Sequence, residues 1–345
     1  MAERPVTLGF VGCGQMGQMA HIFNYAEIPG IRLKAVTDVK HRQAELVAAR
    51  YGIEQVYDSM EEICNDPEIG GVACIMFWAL QVEPVIKLLE AGKHVIVEKP
   101  LAGSAAAAER MVDAAKASGK HLVCGYMKCH DSGVAWARER IVARGDKVNQ
   151  VRMFFSGGDW WTSFGKPIST NEPAPKASDD WYPEGMNEHQ RKALGLCINL
   201  YSHHVSLFRR LLGKELELQT IIRHGDSVVT TFVAGGTHVL LVTAPMACDW
   251  WEERTNVVFD DGYMEILTPP PMARNSPAKV VDYVKGKDGA TSAFTAPVTG
   301  WNWAFKRQAE QFVEVCAGRA EPLVPGEYGY RDMVLLEKMA RMYPE

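Results

Sequence analysis

The chain has 345 residues, more than the roughly 250 to 300 at which a single hydrophobic core stops growing, so its length predicts two domains. Its 47% hydrophobic and 23% charged residues are typical of a globular protein and exclude a disordered chain or a disulfide-dense miniprotein. With 37 basic and 42 acidic residues the net charge is −5, which excludes the strongly positive surface typical of nucleic-acid binding.

The eight cysteines and the N-terminal residues bear on where the protein works. The sequence contains no C-x-x-C pair and no Cys/His spacing of the zinc type, so we expect neither a metal site nor a redox dithiol. The longest apolar run, residues 71–80, is too short to span a bilayer, and the first residues lack the pattern of a secretory signal. We therefore expect a cytoplasmic protein with reduced thiols and no membrane contact.

Short apolar runs alternate with helical patterns from Val6 to about Tyr126. The runs typical of strands are VTLGFV, RLKAVTD, GVACIMFW, HVIVEK and HLVCGY. Strands that alternate with helices in this way are typical of right-handed βαβ units. The first part of the chain is therefore predicted to form an α/β fold with a doubly wound parallel sheet.

After a predicted helix at about Ser132–Ala143 the pattern changes. Strand-like segments such as QVRMFFSG, DSVVTTFVAG and THVLLVTAP are separated by turn residues, and one clear helix covers Cys197–Leu212. This pattern predicts an α+β domain with a large open, mainly antiparallel sheet. We place the first domain at residues 1–125 and the second at residues 126–345, with C-terminal helices that pack back on the first domain.

A glycine motif directly follows the first predicted strand. Gly12, Gly14 and Gly17 form G-x-G-x-x-G, with Gln15 and Met16 between the last two glycines. In this motif the glycines permit a tight turn, the close approach of the backbone to a pyrophosphate, and the close packing of a helix on a strand. The motif predicts a dinucleotide-binding domain of the Rossmann type.

An acidic residue at the end of the next predicted strand indicates which dinucleotide binds. Asp38 lies about 20 residues beyond the motif, where a carboxylate accepts the ribose 2′-hydroxyl of NAD. A carboxylate repels the 2′-phosphate of NADP, so we predict NAD. Lys40 and Arg42 leave NADP as the weaker alternative.

Glu98, Lys99 and Pro100 follow the predicted strand HVIV. Ligands of an open parallel sheet bind beyond the carboxyl ends of its strands, so Glu98 and Lys99 are candidates for cofactor binding. Beside a nicotinamide, a lysine can accept the proton of a hydroxyl that is being oxidised, which makes Lys99 a candidate catalytic residue. The alternative interpretation is an exposed lysine at a strand end.

Taken together, several segments resemble the Gfo/Idh/MocA family (glucose-fructose oxidoreductase, inositol dehydrogenase and MocA). The resemblance rests on the glycine motif, Asp38, LLEAGKHVIVEKPLA, the strand end at Gly125-Tyr126, a histidine-bearing helix that ends in LLG, and QAEQFVEVCAGRAEPLV. It covers nearly the whole chain. The resemblance implies an NAD(P)-dependent dehydrogenase that acts on CH–OH groups, with Lys99 and His203 as catalytic residues.

The helix around His203 departs from the family's pattern. Asn199 replaces the usual aspartate four residues before the histidine; it shares a helix face with His203 and can orient it, but it cannot carry charge or relay a proton. We include Asn199 among the catalytic candidates on this ground. Ser206 stands where the family often has a second aspartate. His204 competes with His203 for the functional role and is kept as a candidate substrate contact.

Two further departures lie near the expected cofactor site. Phe77-Trp78-Ala79 replaces a turn of small residues that is usual in the family. Trp78 therefore either lines the nicotinamide site or packs in the core. Lys128-Cys129-His130 replaces an arginine-rich segment, and Lys128 is a candidate contact to a substrate anion or hydroxyl.

A long loop of the second half combines aromatic residues with acids. Aromatic faces beside carboxylates suit a polyhydroxylated ring, so Trp160, Trp161, Asp180 and His189 are candidate substrate contacts. A subunit interface, where tryptophan and tyrosine are also enriched, is an equally good interpretation.

Three functions remain open from the sequence. The first is a dehydrogenase that transfers hydride from a secondary hydroxyl of a sugar, cyclitol or glycoside to NAD. The second is an NAD-dependent glycosidase or lyase that passes through a transient keto-sugar and recycles its cofactor. The third is a dinucleotide-binding sensor without catalysis. Because open sheets of the family commonly pair face to face, the resemblance also implies a homodimer or homotetramer.

Overall fold

The structure is a computed structural model that describes residues 5–158, 165–174 and 181–345. The chain separates into two compact units. Within the described residues, the first unit comprises residues 5–126, 165–174, 181–186 and 305–337, and the second comprises residues 127–158, 187–304 and 338–345. Three ranges beyond residue 126 thus belong to the first unit, and the last of them holds most of the two C-terminal helices.

A six-stranded parallel sheet forms the centre of the first unit. Its strands are β1 (Val6–Val11), β2 (Ile31–Thr37), β3 (Gln55–Val56), β4 (Gly71–Cys74), β5 (His94–Glu98) and β6 (Leu122–Gly125). Their order is β3-β2-β1-β4-β5-β6, with parallel neighbours. The order reverses between β1 and β4, which is the switch point where doubly wound sheets bind ligands.

Helices connect these strands. A π-helical segment at Gly17–Ile22 continues into α1 (Phe23–Ala26), and α2 (His41–Tyr51), α3 (Met60–Asn65), α4 (Val82–Glu90) and α5 (Ala105–Ser118) follow. At the C-terminal ends of α2 and α5, Gly52 and Gly119 have φ angles of 68° and 65°. Glycine adopts this left-handed conformation without steric cost, so both helices stop where the sequence places a glycine.

The described part of the second unit contains an eight-stranded sheet and three complete α-helices. Its elements are α6 (Ser132–Ala143), β7 (Gln150–Gly157), α7 (Glu188–Leu196), α8 (Ser202–Leu212), β8 (Glu217–His224), β9 (Ser227–Ala234), β10 (Thr237–Thr243), β11 (Trp251–Phe259), β12 (Gly262–Leu267), β13 (Lys279–Lys285) and β14 (Ser292–Thr295). The strand order is β14-β13-β12-β11-β7-β10-β9-β8. Its neighbours are antiparallel except for the parallel pair of β7 and β10.

One face of this sheet is covered and the other is more open. Buried residues alternate along β7, β9 and β10, as expected for strands with one face on a core. Helix α8 supplies part of the cover, because Phe208 packs against Phe232 of β9 with their ring centroids 6.3 Å apart. The alternation of apolar and polar residues along these strands therefore matches a sheet with one buried face and one more exposed face.

The last two helices are α9 (Ala304–Cys316) and α10 (Gly326–Met342). Most of α9 belongs to the first unit, where Phe312 and Val313 join the hydrophobic core formed around Leu8 and Phe10 of β1. The packing is close at β4, since a Cβ atom on Gly71 would lie 2.4 Å from Sγ of Cys316. A long-range contact of this kind has no local signature in the sequence.

The predicted fold class is confirmed: a doubly wound parallel sheet is followed by an α+β unit with a large, mainly antiparallel sheet. The helix predicted over Cys197–Leu212 is part of a longer helical run that begins with α7 and includes a π-helical segment at Cys197–Tyr201. Among the described residues, no helix is long and apolar enough to cross a membrane. Nor does this part of the chain bring together three His, Cys, Asp or Glu side chains in a cluster that could hold a metal.

Candidate functional site

The three glycines of the motif lie in the turn after β1, and each meets a different surrounding. Gly12 has a φ of 86°, and a Cβ atom there would lie 2.3 Å from the carbonyl oxygen of Ile75. A Cβ atom on Gly17 would lie 2.8 Å from the carbonyl oxygen of Gly12. A Cβ atom on Gly14 would have no described heavy atom within 4 Å beyond its chain neighbours. Gly12 and Gly17 thus shape the turn, whereas Gly14 leaves open space at the surface for a phosphate.

The start of the following helix completes this anion-binding turn. The N–H of Gln18 donates to the carbonyl oxygen of Gly14 at 3.0 Å, so helical hydrogen bonding begins within the motif. The first N–H groups of a helix have no partner within it and can bind a phosphate. Gln15 is exposed, and Met16 packs at the edge of the core cluster.

Asp38 follows β2 and lies next to the glycine turn. Its carboxylate accepts the backbone N–H of Cys13 at 2.7 Å and that of Lys40 at 2.9 Å, one on each oxygen. A carboxylate has about four acceptor positions, so capacity remains for a ribose hydroxyl. The turn and Asp38 therefore fit a bound dinucleotide, which Gly12, Gly14, Gln15, Met16, Gly17 and Asp38 would hold.

Cys13 lies within the motif but is no candidate for chemistry. Burial and the adjacent Asp38 carboxylate raise the pKa of the Cys13 thiol far above its usual range. Only the thiolate is nucleophilic, so Cys13 stays inert at neutral pH.

Lys99 follows β5 at its carboxyl end and is half-buried. The carboxylate of the preceding residue, Glu98, accepts the backbone N–H of Lys99 at 3.2 Å. Glu98 also contacts Nε2 of His21 at 2.7 Å, and the two side chains are 13% and 2% exposed. The carboxylate beside Lys99 is thus fixed by a buried histidine. His21 lies nine residues beyond the start of the glycine motif and carries no motif signal of its own, so the sequence alone does not mark it as part of the site.

An aromatic cluster in the first unit comprises Phe77, Trp78, Trp181 and Tyr182. Trp78 lies beyond the carboxyl end of β4 and meets Trp181 edge-on, with 6.1 Å between ring centroids, and Trp181 stacks on Tyr182 at 3.8 Å. A Cβ atom on Gly103 would lie 2.5 Å from Trp181, so Gly103 makes the position of Trp181 possible. Nε1 of Trp78 is buried, without a hydrogen-bond partner among the described residues.

In the second unit, Asn199 and His203 lie on the uncovered side of the helical run. Asn199 is exposed in the π-helical segment and His203 is half-buried in α8. The other residues of 202–209 are buried. π-Helical turns within α-helices occur frequently at functional sites, because the extra residue alters which side chains point outward.

The burial of His204 distinguishes it from His203. His204 is 0% exposed and lies between Phe155, 4.6 Å away between ring centroids, and Tyr201, 6.3 Å away. A side chain with no exposed surface cannot contact a substrate in this structure, so we keep only His203 as the functional candidate. Ser206 is also buried, and its hydroxyl donates to the carbonyl oxygen of His203 at 3.0 Å.

Lys128 is committed to a buried ion pair. Its Nζ lies 2.7 Å and 2.5 Å from the two carboxylate oxygens of Glu253 on β11, and 5.5 Å from the ring centroid of Trp251. Burial raises the pKa of Glu253, and the Lys128 ammonium opposes that shift. Because Glu253 offsets its charge, Lys128 is a weaker candidate for a substrate anion than the sequence indicates.

The remaining candidates belong to the aromatic loop. His189 is in the first turn of α7, and its Nε2 lies 3.0 Å from the carbonyl oxygen of Tyr343. Trp160, Trp161 and Asp180 lie outside the described residues.

Residues 6–126 match a family model described as an oxidoreductase family with an NAD-binding Rossmann fold, Gfo/Idh/MocA. This match covers the six strands of the first unit, the glycine turn, Asp38 and Lys99. NAD is therefore the cofactor of this fold, in agreement with the sequence prediction.

Two curated relatives are similar in sequence. The inositol 2-dehydrogenase/D-chiro-inositol 3-dehydrogenase of Lacticaseibacillus casei is 31% identical over 139 residues, which are 39% of this chain and 40% of that protein. The scyllo-inositol 2-dehydrogenase (NAD(+)) of Bacillus subtilis is 27% identical over 236 residues, which are 67% of this chain and 60% of that protein. The matches thus span less than two thirds of either relative.

A similar solved structure is levoglucosan dehydrogenase in complex with NADH and L-sorbose. It superposes with a TM-score of 0.76 at 17% identity and covers 98% of this chain and 96% of the other. At this identity the similarity shows a common fold over nearly the whole chain.

Proposed function

We propose that this chain, which belongs to the Gfo/Idh/MocA oxidoreductase family through residues 6–126, is an NAD-dependent dehydrogenase that oxidises a secondary hydroxyl of a sugar, cyclitol or glycoside. The proposal rests mainly on one observation. The NAD-type glycine turn, Asp38 and Lys99 follow the carboxyl ends of β1, β2 and β5 in the same parallel sheet. The names of the inositol dehydrogenases and of levoglucosan dehydrogenase support the class of substrate.

In the proposed reaction a secondary alcohol becomes a ketone. NAD, when bound, supplies the hydride acceptor, C4 of the nicotinamide ring. The hydroxyl proton goes to the protein, and Nζ of Lys99 or a ring nitrogen of His203 accepts it. One hydride and one proton leave the substrate, so the reaction yields one ketone and one reduced nicotinamide for each alcohol consumed.

The neighbours of these two residues have positioning roles in the proposal. Glu98 holds the backbone of Lys99, and His21 holds Glu98. Asn199 replaces a carboxylate, so it can orient His203 by a hydrogen bond but cannot take up its proton. Proton transfer in this protein therefore depends on Lys99 and His203 without a third ionisable group at position 199.

The aromatic residues support a ring-shaped substrate. The apolar face of a sugar or cyclitol ring stacks on aromatic rings, while polar groups bind its hydroxyls. Trp78, Trp181 and Tyr182 form such a surface beyond the carboxyl ends of β4 and β5. Trp160, Trp161, Asp180, His189 and Lys128 remain proposed substrate contacts.

For assembly and location we propose a homodimer or homotetramer in the cytoplasm. Tyr263, Tyr283 and Phe294 form an aromatic row across β12, β13 and β14, and Phe294 is 67% exposed. Exposed apolar rows of this kind commonly mark subunit contacts.

A substrate panel tests the proposed reaction. The purified protein is incubated with NAD and with inositols, levoglucosan, free sugars and glycosides, and reduced nicotinamide is followed. At least one compound should generate reduced nicotinamide in the wild type. In Lys99→Met, kcat should fall about 100-fold or more, because a positioned acid–base group contributes about that factor. The affinity for NAD should stay within about twofold of the wild type, because the glycine turn and Asp38, which supply the main proposed contacts to the dinucleotide, are unchanged in this variant.

Lys87→Met is the matched control, because Lys87 is an exposed lysine of α4 in the same unit. It should leave turnover unchanged. Unchanged turnover in Lys99→Met would refute the role of Lys99. Consumption of a glycoside without accumulation of reduced nicotinamide would favour the cofactor-recycling glycosidase, and NAD binding without turnover of any compound would favour the sensor.

A further inference from the structure

The segment 165–174 of the first unit lies against the glycine turn. The side-chain amide of Gln18 donates to the carbonyl oxygen of Ile168 at 2.9 Å and accepts the N–H of Ile168 at 2.8 Å. The same amide donates to the carbonyl oxygen of Cys13 at 2.8 Å, and Gln18 is 1% exposed. A buried glutamine of the first helix thus ties the segment to the glycine motif.

The same segment places a carboxylate at the N-terminus of α2. The two oxygens of Glu172 accept the backbone N–H groups of Arg42 at 2.9 Å and Gln43 at 3.1 Å. The hydroxyl of Thr170 donates to Glu172 at 2.6 Å. These hydrogen bonds lower the pKa of Glu172, with the Thr170 bond as the largest cause, so this carboxylate is charged at neutral pH.

The basic side chains near Asp38 also have partners. Nζ of Lys40 donates to the carbonyl oxygen of Thr170 at 3.4 Å. The guanidinium of Arg42 pairs with Glu45 at 2.6 Å. Lys40 and Arg42 were the residues that left NADP as an alternative in the sequence, and the structure gives each of them an oxygen partner.

A 2′-phosphate on the adenosine ribose needs cations and unoccupied N–H groups at this position. Where Asp38 accepts the ribose hydroxyl, the 2′-substituent would lie near the chain that runs from Asp38 to the start of α2 at His41. In NAD this substituent is a neutral hydroxyl, which a carboxylate accepts. In NADP it is a dianion, which two nearby carboxylates repel.

We propose that Glu172, held on the N-terminus of α2 by the segment 165–174, is a second determinant beside Asp38 that selects NAD against NADP. Glu172 occupies the backbone N–H groups of Arg42 and Gln43, which a 2′-phosphate could otherwise bind. Its negative charge also repels that phosphate. The proposal rests on the proposed use of NAD and adds a residue from outside the glycine motif and β2.

Titration of the wild type and Glu172→Gln with NADH and with NADPH tests this role. Glutamine retains an oxygen acceptor for α2 but removes the charge. We expect the Kd for NADPH to fall about tenfold, since loss of a close like-charge repulsion is worth a kcal/mol or more. The Kd for NADH should stay within about twofold.

Two controls isolate the charge of Glu172. Glu188→Gln removes the same charge from the first turn of α7 in the second unit, and it should leave both Kd values unchanged. Thr170→Val removes the hydroxyl bond to Glu172 but keeps the carboxylate, so the preference for NADH should persist. High salt should reduce the difference in the Kd for NADPH between the wild type and Glu172→Gln, because salt screens exposed charges.

An unchanged Kd for NADPH in Glu172→Gln would overturn the proposal. So would an equal change for both dinucleotides, which would indicate a purely structural role of the segment. Failure of the wild type to bind NADH would instead refute the proposed function. The two failures are therefore distinguishable.

Discussion

At the scale of single residues, the three glycines of the turn after β1 differ in their steric surroundings. The carbonyl oxygens of Ile75 and Gly12 obstruct a Cβ atom at Gly12 and at Gly17, respectively, whereas a Cβ atom at Gly14 would meet no described heavy atom within 4 Å beyond its chain neighbours. Gly12 and Gly17 therefore exclude a side chain, and Gly14 does not.

This difference predicts opposite phenotypes for two substitutions in one turn. Gly12→Ala should lower the free energy of unfolding by about 1–3 kcal/mol, because its φ of 86° strains any other residue and its Cβ atom meets the Ile75 carbonyl. Gly14→Ala should change it by less than about 0.5 kcal/mol and instead weaken NAD binding. Chemical denaturation and NAD titration measure the two effects. A loss of stability in Gly14→Ala as large as in Gly12→Ala would contradict this division.

Other residues of the site had no signal in the sequence. His21 and Glu172 act through partners 77 and about 130 residues away. No local spacing encodes such pairs. Among the predicted residues, burial separates His203 from His204, which a sequence cannot do for two adjacent histidines of a helix.

At the scale of elements, the strands and most helices of the first unit follow the predicted alternation because strand and helix have different hydrophobic periods. The apolar run GVACIMFW is longer than the strand it contains, since β4 ends at Cys74. The residues just beyond Cys74 have tertiary partners. The carbonyl oxygen of Ile75 borders Gly12 of the glycine turn, and Phe77 and Trp78 belong to the aromatic cluster, so tertiary packing sets the end of the strand. Hydrophobic periodicity also does not predict the π-helical segments at Gly17–Ile22 and Cys197–Tyr201.

The start of β5 gives the parallel sheet a dependence on pH. Nδ1 of His94 accepts the backbone N–H of His121 at 3.2 Å, next to β6. Burial, together with Lys120 and His121, lowers the pKa of His94 from 6.5 to about 4. Between about pH 4 and pH 6.5, His94 is therefore protonated in the unfolded chain but not in the folded chain. Its contribution lowers the free energy of unfolding as the pH falls from about 6.5 to about 4.

His94→Asn tests this dependence, because asparagine keeps an acceptor but does not titrate. The Tm of the wild type should exceed that of the variant near neutral pH, and the gap should shrink as the pH falls towards 4. Thermal melts at a series of pH values measure the gap. A gap that stays constant over this range would rule out a contribution from His94 protonation.

At the scale of the whole molecule, the fold class follows from composition and period, but the division of the chain does not. Residues 165–174 and 181–186 belong to the first unit although the sequence pattern places them in the second half, whereas the C-terminal helices were expected to pack back on it. The segment around Glu172 has no periodicity, so nothing local predicts that it reaches the first unit. That division is also why a cofactor-selecting residue can come from beyond the predicted nucleotide domain.

In the proposed reaction, hydride passes from a carbinol carbon of the substrate to NAD on this protein. The most direct measurement is a single turnover with the compound found active in the panel, deuterated at its carbinol carbons, followed by mass spectrometry of the nicotinamide. If hydride passes in this way, each reduced nicotinamide should carry one deuterium, and Lys99→Met should form the same deuterated product about 100-fold more slowly. Reduced nicotinamide without deuterium, or product without reduced nicotinamide, would contradict this transfer.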